Sequence, residues 1–106
     1  HVWDGRVISI QQKKRNTEVP DEEVNWAVRN YSNGFFYANQ DITPLSGTQK
    51  QVAIDAVEAL GLDFGAVDML VKNDLDAWVL EVNTAPGLES ETVINDYIKA
   101  IKQEMV

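Results

Sequence analysis

Two carboxylates and an amide, Asp68, Glu81 and Asn83, stand in otherwise apolar surroundings. Val67 and Met69 flank the first, and Leu80 and Val82 flank the second. Charged side chains are seldom set among aliphatic ones unless they are paired or hold a cation. In extended chain Val79, Glu81 and Asn83 leave one face, as do Ala66, Asp68 and Leu70. A turn centred at residues 74–75 then sets Asp68 directly across from Glu81, with Cβ atoms about 5 Å apart. Carboxylates that close repel, and a sheet tolerates them when one is protonated or a cation lies between them. With the Asn83 oxygen they form a hard, all-oxygen set suited to Mg2+, which keeps positions for waters and phosphates. The same spacing also describes an alternating strand whose acids face solvent. Spacing alone leaves both readings open.

The rest of the inventory narrows the chemistry. There is no cysteine, which excludes thiolate metal sites, and the single histidine, His1, sits at the extreme terminus and cannot build a zinc site or a His-based triad alone. The net charge of −8 is the wrong sign for neutralising nucleic-acid phosphates. It reads either as solubility or as carboxylates gathered on a cation. No apolar run approaches the ~20 residues of a membrane span and no signal peptide opens the chain, so a cytoplasmic location is expected. Asp74-Leu75-Asp76 lacks the glycine and distant glutamate of a calcium loop. The three tryptophans, Trp3, Trp26 and Trp78, read as packing residues, since base stacking has no positive groove to support it.

The elements that must position the acids follow from pattern. Residues 1–3 and 6–13 read as strands around an Asp4-Gly5 turn, and the stretch from Lys13 to Glu23 as a loop. Trp26 to Asn30 and Phe35 to Ala38 read as short strands around Ser32-Asn33-Gly34. Val52, Ala53, Ala56, Val57 and Leu60 form the apolar stripe of a helix that Gly61 caps. The strands Phe64–Val71 and Ala77–Val82 follow. A last helix begins near Ser90, with Ile94, Tyr97, Ile98, Ile101 and Met105 along one face. The order predicts an α+β class, an antiparallel sheet with helices packed on one face. With 106 residues the core is modest, and the chain reads as one domain or part of a larger one. A strand under way at residue 1 favours the second, a piece cut from a longer chain.

Two segments carry a family likeness. Gly65-Ala66-Val67-Asp68-Met69-Leu70 and Leu80-Glu81-Val82-Asn83-Thr84-Ala85-Pro86-Gly87-Leu88 resemble the terminal signature of ATP-grasp ligases. The likeness is closest to the branch that adds glutamate to protein or small-molecule carboxylates, and D-alanine–D-alanine ligases share it more loosely. It implies that residues 1–106 are the carboxyl-terminal ATP-grasp subdomain and that Asp68, Glu81 and Asn83 hold Mg2+ on ATP. It places Arg29, in Val28-Arg29-Asn30, where charge on the transferred phosphoryl group is stabilised, and Asn30 and Lys13 near nucleotide or substrate. Each has a plainer reading: a surface arginine, a turn asparagine, a lysine in a solvated basic run.

The resemblance implies an ATP-dependent carboxylate–amine ligase working through an acyl phosphate, with ATP and Mg2+, or Mn2+ in its place, as cofactors. The expected partners are a carboxylate substrate, an amine nucleophile and the amino-terminal half of the same module. That half would supply the nucleotide-gripping lysines and glycine-rich loop, so the fragment alone is expected to be inactive. Assembly into a homo-oligomer is left open. The alternative is a non-catalytic cation- or nucleotide-binding module that kept the hairpin.

Overall fold

The computed structural model describes residues 1–27, 34–88 and 90–105. The strand expected over Trp26–Asn30 lies partly outside them, and Trp26 and Ala27 are not in a strand. The chain divides into two compact units, His1–Ile10 with Pro44–Val106, and Gln11–Thr43.

In the first unit, β1 (Val2–Trp3) turns into β2 (Arg6–Val7) through Asp4 and Gly5, both at positive φ (46° and 72°). Both central residues of such a two-residue turn need that conformation, which Asp-Gly supplies. The strand β5 (Phe64–Lys72) pairs antiparallel with β1 and with β6 (Asp76–Asn83), giving the sheet order β2-β1-β5-β6. The helix α1 (Gly47–Ala59) opens with a capping box, in which Ser46 Oγ accepts the Gln49 N–H and Gln49 Oε1 accepts the Ser46 N–H.

Alternation along the strands decides what α1 covers. Val2, Ala53 and Val57 are buried together, and Val7, Ile54, Leu62, Val67, Met69 and Val82 pack around them. Leu60, expected in the stripe, is exposed; the inward row of α1 is Gln49, Ala53 and Val57.

The helix α2 (Glu91–Glu104) buries Val93, Tyr97 and Ala100, while Ile98, Ile101 and Met105 are exposed. This corrects the expected face. Two apolar stripes run along this helix at helical spacing and share Tyr97; the inner one adds Val93 and Ala100 to it. The Tyr97 hydroxyl meets His1 Nδ1 at 2.8 Å, and its ring lies edge-on to Trp3, which alternates with Val2 on β1. Trp3 Nε1 donates to Glu104 and Arg6 Nη1 to Gln103, so α2 is fastened at the β1–β2 end of the sheet.

In the second unit the expected strand 6–13 does not run on from β2. Instead β3 (Gln12–Arg15) pairs with β4 (Phe35–Ala38), and Arg15, assigned to a loop from sequence, lies opposite Phe35. Phe35 is buried and meets Trp26 edge to face, at 5.2 Å between centroids. A short 3-10 turn, Asp21–Glu23, follows Pro20, and Arg15 pairs with Asp21 and donates to the Val19 carbonyl. No described helix is long and apolar enough to cross a membrane.

Candidate cation site on the β5–β6 hairpin

The hairpin places Asp68 directly opposite Glu81, and Ala66 opposite Asn83. Val67 and Val82 face each other one step away, on the side packed against the Val2–Ala53–Val57 core. The pleat therefore sends Asp68, Glu81 and Asn83 together to the side away from α1. Asp68 is half-buried and Glu81 and Asn83 are exposed. The acids are thus not embedded in the core, as their apolar sequence neighbours suggested. Those neighbours turn inward and the acids turn outward.

The register reaches this pairing by an unexpected route. Lys72 pairs with Asp76, so the loop is Asn73–Leu75, with Asn73 at φ 58°. A two-residue loop at 74–75 of the I′ type would need positive φ at both positions, which a leucine at 75 resists, so only the II′ type, with positive φ at Asp74 alone, is open to that loop. Counting from the Lys72–Asp76 pair, β6 has one residue more than β5 before the acids. It is taken up as a bulge, at Leu80, between the Met69–Val79 and Asp68–Glu81 pairs. Val79 consequently lies opposite Met69 and does not share the face of Glu81, contrary to the simple i, i+2 reading. Leu70 and Trp78 are the next pair along the acid-bearing face, both substantially exposed.

Asn83 Oδ1 accepts the Ala85 N–H at 3.0 Å, an Asx turn that points the amide and leaves the oxygen a second lone pair. Among the described residues no three His, Cys, Asp or Glu side chains gather as a metal site. The donor set here is two facing carboxylates and one amide oxygen. That is a hard set of the kind magnesium accepts while keeping positions for water and phosphate, and the residues fit such an ion.

The other predicted residues lie elsewhere in the chain. Lys13 is in the second unit, mid-strand in β3 and opposite Tyr37, with Nζ 5.6 Å from the ring centroid, a cation–π distance. Arg29 and Asn30 lie outside the described residues.

Sequence reasoning missed Gln49. It is 1% exposed, and its Nε2 donates to the carbonyls of Asn73 at 2.9 Å and Asp76 at 3.1 Å, at the hairpin tip. The available signal was Ser46-Gly47-Thr48-Gln49, the S-x-x-Q pattern of a capping box, which announces the helix start but not the tip.

The profile of the RimK-like ATP-grasp domain matches residues 18–105, and the chain belongs to that family. It is 42% identical over 78 residues to a protein of Haemophilus influenzae strain Rd named as a probable alpha-L-glutamate ligase, covering 67% of this chain and 25% of that protein. A protein of the same name from Mannheimia succiniciproducens is 41% identical over 78 residues, with the same coverage. One from Pasteurella multocida is 43% identical over 63 residues, 54% of this chain and 20% of that one. The chain thus spans about a quarter of the length of these relatives. No solved structure matches it significantly.

Proposed function

We propose that this chain is the cation-holding part of an ATP-dependent carboxylate–amine ligase. The observation that carries the reading is the facing of Asp68 and Glu81, with Asn83 on the same side, in a member of the RimK-like ATP-grasp family. In the proposed reaction a substrate carboxylate oxygen attacks the γ-phosphorus of ATP and ADP leaves. An amine nitrogen then attacks the acyl carbon, loses a proton and expels phosphate. The relatives' name points to glutamate as the amino acid joined.

Asp68, Glu81 and Asn83 would hold Mg2+, or Mn2+ in its place. Bound there, the ion would neutralise charge on the phosphate oxygens. Lys13 and Asn30 would contact nucleotide or substrate, and Arg29 would stabilise charge on the phosphoryl group in flight. No side-chain nucleophile is needed, in keeping with a sequence that has no cysteine. A cytoplasmic setting, where ATP is supplied, goes with this reading.

The test is Glu81→Gln in the full-length protein. Metal-dependent ADP release should fall at least about a hundredfold, the scale on which losing a charge-stabilising group acts. Because Glu81 is exposed, the melting temperature should stay where it was. Retained ADP release in that variant would remove Glu81 from the site.

A further inference from the structure

The tip of the β5–β6 hairpin is held by a side chain from outside it. Gln49, in the first turn of α1, donates from Nε2 to the carbonyls of Asn73, the first loop residue, and Asp76, the first residue of β6, and accepts the Ser46 N–H at Oε1. Both ends of the buried amide are therefore engaged.

The clamp bears on the acids through the register. From the Lys72–Asp76 pair the two strands reach Asp68 and Glu81 with one residue more on β6, and the bulge at Leu80 absorbs it immediately before Glu81. A second register is self-consistent. With a two-residue loop at 74–75, Lys72 would face Ala77, Leu70 would face Val79, and the bulge would vanish. Asp68 would still face Glu81. What changes is the company the acids keep, because a one-residue slip exchanges faces. The observed register sets Trp78 beside them, and the alternative sets Val79 there. The bulge also adds local twist and re-aims the residue next to it, here Glu81.

We propose that Gln49 is a positioning residue for the Asp68–Glu81 cation site. By clamping the hairpin tip it holds the bulge against Glu81 and keeps Trp78 and Leu70 next to the acids. The functional consequence rests on the cation reading above, whereas the register does not.

The experiment compares Gln49→Leu, Gln49→Glu and Glu81→Gln in the full-length protein. Gln49→Glu keeps an acceptor for the Ser46 N–H, and with it the capping box, and, read at alkaline pH so that the buried carboxyl is ionised, it brings no donor to the tip. It therefore carries the test if Gln49→Leu fails to fold. The readouts are the nuclear Overhauser contact between the Leu70 methyls and the Trp78 indole, and Mn2+ affinity by calorimetry. Both Gln49 variants should lose the Leu70–Trp78 contact, gain one between Leu70 and Val79, and bind Mn2+ about tenfold more weakly, the scale on which residues without contact to a ligand modulate its binding. Gln49→Glu that keeps both the Leu70–Trp78 contact and an Mn2+ affinity within twofold of the parent overturns the proposal. Unchanged Mn2+ affinity in Glu81→Gln instead overturns the cation reading, and with it the role of Gln49 toward a cation, whatever the register does.

Discussion

Tyr97 is 6% exposed, with its hydroxyl on His1 Nδ1 and its ring against the edge of Trp3. Burial disfavours the phenolate and raises its pKa above the ordinary tyrosine value of about 10. The folded protein thus holds this proton more tightly than the unfolded chain does. The stability that follows is intact below about pH 10 and is lost as pH rises through the raised value. Urea unfolding followed from pH 8 to 11 should show a steeper alkaline loss for the parent than for Tyr97→Phe. Equal slopes would mean that Tyr97 does not titrate in the fold. Gln49 works at the same scale by a different means, since its amide satisfies a helix N-terminus and two turn carbonyls that would otherwise be left to water.

Between elements, the contact that positions the hairpin is the one between α1 and the sheet, and Gly65 sits in it. A Cβ there would lie 3.1 Å from Val82 Cγ1 and 3.6 Å from Val57 Cγ2. Overpacking of this kind costs about 1–3 kcal/mol, whereas Gly→Ala gains about 0.4–1 kcal/mol through the unfolded chain. The steric term wins, because the 3.1 Å approach is closer than ordinary contact and Val82 is itself packed against Val2, Ala53 and Val57. Gly65→Ala should therefore lose about 1 kcal/mol in urea titration. A gain in stability would mean that α1 is free to lift from the sheet. The strand pattern alone marked Gly65 as part of a family signature, and only the packed helix supplies the reason for it.

Across the whole chain, residues 11–43 hold four of the nine basic side chains and five of the seventeen acidic ones. Nearly all the net charge of −8 thus falls in the unit that carries Asp68 and Glu81, whose potential favours cations. The division into units also has a mechanical consequence. Gly34 lies at φ 93°, and a Cβ there would approach Val24 Cγ2 at 3.1 Å and Val19 Cγ1 at 3.3 Å. Gly34→Ala should cost about 1–3 kcal/mol of local strain. Amide hydrogen exchange should quicken in β3 and β4 and stay unchanged in α1 and β5. A uniform rise over both units would show that they unfold as one.

Short-range rules carried the sequence a long way. The Asp4-Gly5 turn, the helix ending before Gly61 and both long strands depend on residues within a few positions of each other, whereas the opposition of Asp68 and Glu81, expected from a two-residue loop, is reached through a three-residue loop and a bulge. The family signature around the acids is equally local. Partners far apart in sequence decided the rest. Tyr97, shared by both stripes of α2, is anchored on His1 and Trp3, and whether Val93 and Ala100 or Ile98 and Ile101 turn inward beside it cannot be ranked without the packed surface. That the acids face outward was set by α1 covering Val67 and Val82. The three-residue tip and its bulge are held by Gln49, whose amide reaches carbonyls 24 and 27 positions on. Local chemistry thus determined the two strands that carry the carboxylates, and tertiary packing decided the register in which they meet, which way they face and which side chains stand beside them.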